Sequence, residues 1–236
     1  QKRLVLIYIT HLHWDHFHGP TLKKLASELG NVRFLIPKTP ESRLRQDLKL
    51  FAKLIPIDQL VHAKEYDYDA FTLISFQQGI AFADSTLAIK IGQDWIWNMN
   101  DCKLTSHSLK HLSSIAGKPT YALRSHSSAN WRSCIRGKSF EGLEASHDKS
   151  LKSYSDEFFK SCYLTGASTA IPFASNVACL HRDTFQYNKI LNFSDYVERD
   201  FSDCSEHFDG MQVQLVLPGE SLDVETGCLL SKNDAF

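Results

Sequence analysis

Three imidazoles and one carboxylate, those of His11, His13, His16 and Asp15, fall within residues 11–16, directly after the apolar run Leu4 to Ile9. Imidazole nitrogen and carboxylate oxygen are the donors that zinc, iron and manganese accept while keeping positions open for water. Alternate residues of extended chain point the same way, so His11 and His13 can converge on one ion. Asp15 and His16 can then turn to a second ion nearby. Crowding four ionisable groups against an apolar strand is costly unless they are paired or bind metal, which makes a merely polar loop the poorer reading. The chemistry expected of such a site is activation of water or of dioxygen by a metal pair.

Something must hold that loop in place. The run Leu4–Ile9 has the composition of a strand buried on both faces. After the loop, Thr21 to Gly30 reads as a short helix, with Thr21 as N-cap and Gly30 as stop. Val32–Pro37 reads as a second strand, and Pro40 to Leu54 as a helix with Leu44, Leu48, Phe51 and Leu54 on one face. Strand patterns follow over Phe71–Phe76, Gly79–Ala83, Ser85–Ile91 and Trp95–Asn100, with a hairpin turn at Gly92 to Asp94. Helices are expected over Ser106–Ala116 and Leu151–Cys162, with strands at Thr120–Arg124 and Ala170–Ala174. Alternating strands and helices indicate an α/β fold. Residues 1–236 read as a single domain whose segment 200–236 is a peripheral tail.

Composition narrows the partners. The chain has 236 residues, 43% of them hydrophobic and 22% charged, with 26 Lys and Arg against 27 Asp and Glu. This is the profile of a globular protein, and its balanced charge speaks against nucleic acid and against polybasic membrane attachment. No apolar run approaches the ~20 residues of a membrane span, and no signal-peptide pattern is visible. Six cysteines without a Cys-x-x-Cys pair are those expected of a reduced, cytoplasmic protein. Cys204-Ser-Glu-His207 has the Cys-x-x-His spacing of half a Rieske cluster and reads as coincidence.

His-x-His-x-Asp-His after a strand resembles the metallo-β-lactamase superfamily, an αββα sandwich holding one or two metals at its edge. In that family an Asp bridges both metals and two further histidines complete the set. The resemblance makes Asp101, which ends the strand Trp95–Asn100, the bridge. Where the family has its third histidine this chain has Phe82-Ala83-Asp84-Ser85-Thr86, and His62 comes too early, before the strand Phe71–Phe76. Asp84 therefore stands as the third ligand of the first metal. With Asp84-Ser85, Trp97 to Cys102 and Ile171-Pro172-Phe173-Ala174, the chain is similar to the non-Rieske part of CMP-N-acetylneuraminate hydroxylase and its bacterial relatives, from about His11 to Asn188. That likeness names His181 as the final ligand, followed by His126 and then by His107 and His111. The superfamily has several strands before its ligand loop. The loop here begins at residue 11, so the chain resembles the later two-thirds of such a domain, apparently lacking the first strands, and a partner domain or chain is expected to supply them.

The resemblance implies two divalent metal ions, zinc or iron, held by His11, His13, Asp15, His16, Asp84, Asp101 and His181, with Asp15 also orienting a nucleophile. A hydrolase acting on a small-molecule substrate is the first reading, because hydrolysis is the commoner chemistry of the fold. The alternatives are a diiron oxygenase, towards which the extra carboxylate of Asp84 points, and an inert metal-binding fragment. His18 reads as a neighbour of the ligands or an exposed residue, Cys102 as a small buried filler behind Asp101, and Trp14 as a pocket wall. Ser125, Ser127, Ser128 and Asn130 form a polar cluster after a strand and read as a plain loop.

Overall fold

In the computed structural model, which describes residues 4–13, 15–51, 53, 55–78, 84–127, 148–174 and 178–230, the chain divides into two compact units. Gly79–Ala83, Trp14, Leu54, Ser128 and Asn130 lie outside the described residues. The first unit comprises Gln1–Gly92 and Cys102–Ala116, the second Gln93–Asp101 and Gly117–Phe236.

In the first unit β1 (Val5–Tyr8), β2 (Val32–Pro37) and β3 (Ile57–Leu60) form a parallel sheet in that order, with β1 at one edge. β2 follows its apolar pattern, and the strand alternation divides its side chains between two cores. Val32, Phe34 and Ile36 join Ile9, Leu22, Leu44 and Leu48 in a cluster shared with helices α1 (Gly19–Leu29) and α2 (Arg43–Phe51). Leu35 points the other way, to Leu60, Leu73 and Leu87. The last two belong to the antiparallel strands β5 (Phe71–Gln78) and β6 (Asp84–Ile91), which β4 (Glu65–Tyr68) extends. Helix α3 (Ser106–Ala116) contacts β5, with Phe76 meeting the edge of the His111 ring. This unit is therefore layered as helices, sheet, sheet and helix.

Helix α1 starts two residues earlier than its sequence pattern suggests. Pro20 occupies the first helical turn, where its fixed φ suits the helix and its missing N–H costs nothing. Thr21 does not cap the helix; its Oγ1 instead lies 2.7 Å from His18 Nδ1. Gly19 is needed at the helix start because a Cβ there would come within 2.5 Å of the Phe51 ring. β3 and β4 escape the hydrophobic pattern because each mixes charged with apolar residues and is defined by pairing to a neighbour.

The two sheets of this unit enclose one polar chain. Tyr8 Oη lies 2.8 Å from Ser75 Oγ and 2.7 Å from Ser85 Oγ, and Ser85 Oγ donates to the Thr10 carbonyl at 2.7 Å. Burial pushes the Tyr8 phenol up to about 12, against the opposing pull of its two serine hydrogen bonds.

In the second unit β7 (Asp94–Asn100), β8 (Tyr121–Arg124), β9 (Thr169–Pro172) and β10 (Gln212–Val213) run parallel in that order. The β7–β8 register shifts between Asn98 and Asn100, and Asn100 takes φ 54°, turning the chain just before Asp101. Helix α4 (Asp148–Thr165) contacts β8 and β9 and buries Phe158 and Phe159. Within the 200–236 segment Phe201, Phe208 and Met211 are buried, and β10 pairs with β9.

Two outcomes follow for stability. Leu60 is fully buried, whereas Leu50 is 69% exposed. Leu60→Ala is expected to cost about 2–5 kcal/mol in urea unfolding, and Leu50→Ala less than about 0.5 kcal/mol. The second outcome concerns alkali. The unfolded Tyr8 ionises from its ordinary 10.0 while the folded one holds its proton to about 12, so stability falls as pH rises through that window. The loss is on the order of 3 kcal/mol, and the stability–pH profile of Tyr8→Phe should lack it.

Candidate metal centre

The ligand loop is held from below by its apolar residues. Leu12 and Phe17 pack against the helix-side cluster of the first unit, and Phe17 also meets the edge of the Phe51 ring. Leu12 and Phe17 thus anchor the loop on the core side. The His13 carbonyl accepts the amides of His16 and Phe17 at 3.0 and 2.7 Å, a tight turn that brings His16 back towards His11. The His11 ring centroid lies 4.3 Å from that of His13 and 4.3 Å from that of His16.

His11 is buried and carries the centre. Its Nε2 lies 2.7 Å from His13 Nδ1, its Nδ1 is 3.0 Å from Thr10 Oγ1, and Asp84 Oδ1 lies 3.9 Å from that same Nδ1. Asp84 reaches this point from the first residue of β6, and its side chain is 31% exposed. One donor atom each from His11, His13 and Asp84 lie within 4.8 Å of one another. Two donors bound at about 2.1 Å to a single ion stand roughly 3 Å apart. The His11–His13 pair therefore needs to open by only a few tenths of an ångström to admit a metal. Two imidazoles and one carboxylate also match the donor set of mononuclear non-haem iron and of zinc.

The other expected residues are placed as follows. Asp15 is exposed, with Oδ2 3.4 Å from His16 Nε2. His62 is not in the cluster: its Nδ1 accepts the Gln77 amide at 3.0 Å, and its ring rests on Phe76. His18 is exposed and bonded to Thr21, while Cys102 is buried. In the second unit Asp101 is half-buried just past β7, and His126 is buried just past β8, its carbonyl accepting from Asn192 Nδ2 at 2.8 Å. His181 is 74% exposed, with Nδ1 3.8 Å from Asp183 Oδ2. Ser125 is buried and its amide donates to the Asn100 carbonyl.

Sequence reading passed over three residues and one spacing. Thr10 adjoins His11, Ser85 adjoins Asp84 and Tyr8 bonds to Ser85, contacts that the strand pairing makes visible. Cys179-Leu180-His181 is a Cys-x-His, which with Cys204-x-x-His207 completes the residue pattern of a Rieske cluster. The structure does not use it so: Cys204 Sγ donates to the Asp200 carbonyl, and His207 faces Glu206. Among the described residues these four belong to no group of three convergent metal donors. The five described cysteines are free thiols. No described helix is long and apolar enough to cross a membrane.

No protein-family model matches the sequence, and no curated protein matches it. Solved structures do. CmlA, described as a diiron β-hydroxylase from Streptomyces venezuelae, is 12% identical with a TM-score of 0.55, over 92% of this chain and 44% of that one. A point mutant of CmlA β-hydroxylase gives 13% and 0.59 over the same shares. The metallo-β-lactamase fold protein YhfI from Bacillus subtilis is 10% identical with a TM-score of 0.56, over 89% of this chain and 73% of that one. The chain thus spans less than half the length of the CmlA chains it matches. At these identities the likeness is one of fold, and the mixed α/β chain carrying the His11–His13–Asp84 cluster has the metallo-β-lactamase fold.

Proposed function

We propose that this chain is the metal-dependent catalytic domain of an oxygen-activating enzyme that hydroxylates a small molecule, with iron as its metal. The observation that carries the reading is the approach of the Asp84 carboxylate to His11 and His13, where the hydrolase pattern would bring a third neutral histidine. A carboxylate adds a negative charge and a hard oxygen donor. Both favour iron, including its higher oxidation states, over zinc. The description of CmlA as a diiron β-hydroxylase supports the same chemistry. Hydrolysis, the commoner chemistry of the fold, is the second reading. It is favoured by Asp15, whose exposed carboxylate beside His16 is free to orient a water molecule.

The roles of the residues follow from their surroundings. His11, His13 and Asp84 hold the first ion, and Asp84 offsets its charge. Asp15, His16 and Asp101 are the residues that the sequence resemblance offers for a second ion. For the last histidine, buried His126 is a better candidate than His181, whose ring is mostly exposed. Ions held at these positions supply Lewis acidity and, as iron, the capacity to activate dioxygen.

Metal content tests the reading. Wild-type protein expressed in medium with equal iron and zinc should retain iron and absorb in the near-ultraviolet and visible. Asp84→His should shift retention towards zinc by about tenfold or more, and Asp84→Ala should lose most of the first ion. Zinc in the wild type, with selectivity unchanged in both variants, would remove the oxygenase reading and leave the hydrolase.

A further inference from the structure

We propose that Ser85 and Tyr8 are positioning residues for the metal centre, setting the separation of His11 and Asp84 through a one-way chain of hydroxyl hydrogen bonds. The inference rests on the reading that His11, His13 and Asp84 hold a metal ion.

The direction of the chain follows from counting protons. A hydroxyl has one hydrogen to give, and Ser85 gives its own to the Thr10 carbonyl. At the 2.7 Å contact between Ser85 and Tyr8 the donor must therefore be the Tyr8 hydroxyl. With that proton committed, Tyr8 can only accept at its 2.8 Å contact with Ser75. The order is Ser75 to Tyr8 to Ser85 to the Thr10 carbonyl. Bonds aligned in this way polarise one another in a buried, low-dielectric setting. Ser75 and Ser85 are buried.

Its placement is what ties it to the metal. Thr10 immediately precedes His11, and Ser85 immediately follows Asp84. One hydroxyl thus joins the two segments, 75 positions apart, that carry the two ligands, at the residue next to each. Tyr8 extends from β1 across the space between the sheets to reach serines on both β5 and β6. Thr10 also places Oγ1 3.0 Å from His11 Nδ1. With Oγ1 accepting the Nδ1 proton, the Nε2 lone pair faces His13, the tautomer in which His11 Nε2 can bind a metal. Ligand positions must hold to about 0.5 Å for a metal site to be selective, and the Ser85 bond to the Thr10 carbonyl ties the loop that carries His11 to β6.

Cobalt(II) titration of the metal-free full chain, followed by visible absorption, tests this. Ser85→Ala should weaken cobalt affinity about tenfold or more and alter the absorption band. Tyr8→Phe should have a smaller effect in the same direction, since Ser85 keeps its bond to Thr10. Ser85→Thr, which keeps the hydroxyl, should restore affinity; if its added methyl prevents folding, the Tyr8→Phe result stands in its place. Leu60→Ala, which loosens the same two-sheet core but removes no hydroxyl of the chain, should leave affinity within about threefold when measured well below its melting temperature. Wild-type affinity in both Ser85→Ala and Tyr8→Phe would overturn the proposal, as would an equal loss in Leu60→Ala. Wild-type affinity in Asp84→Ala would instead overturn the metal-site reading. A site sensitive to Asp84 but indifferent to Ser85 would sink only the positioning role.

Discussion

An imidazole buried beside a carboxylate, at the end of an apolar strand, is the contact on which the first unit depends. His11 is almost fully enclosed, with a second imidazole on one nitrogen and a threonine hydroxyl and Asp84 at the other. Such a cluster is expensive when its charges are unbalanced and stable when a cation completes it. The surrounding layers make the arrangement rigid. Helices α1 and α2 cover one face of the parallel sheet and draw Leu12 and Phe17 down, while the antiparallel sheet on the other face delivers Asp84.

The same contact bears on the choice of metal. A loop of histidines and one aspartate serves zinc and iron alike, so the loop alone leaves the chemistry open. On the proposed reading the third donor breaks the tie. A neutral imidazole there leaves the charge of a divalent ion largely uncompensated, whereas Asp84 cancels one unit of it at close range. That difference is electrostatic and local, and it does not depend on the fold, which hosts more than one chemistry.

Local patterns were legible in the sequence where one residue type dominates a short segment. Val32–Pro37 and Ser106–Ala116 have the bounds their periodicity suggests, and the spacing of His11 and His13 already implies their convergence. Asp84 was legible as a departure from a known pattern, not from any periodicity of its own. β3 and β4 were not legible, because Asp58, Gln59, Glu65 and Asp67 interrupt the alternation and pairing alone makes these residues strands. The hydroxyl chain was illegible for a related reason. Its members are separated by 67 and 75 or more positions, and serine next to aspartate is common in turns. The final histidine also lacks a local signature: His126 and His181 both follow short strands, and only burial separates them.

Anomalous X-ray scattering addresses the central claim most directly. Crystals of protein purified without added metal would be measured on both sides of the iron and zinc absorption edges. An iron peak is expected about 2.0–2.3 Å from His11 Nε2, His13 Nδ1 and an Asp84 carboxylate oxygen. A metal peak bound by other residues, with His11, His13 and Asp84 left as a hydrogen-bonded cluster, would contradict it.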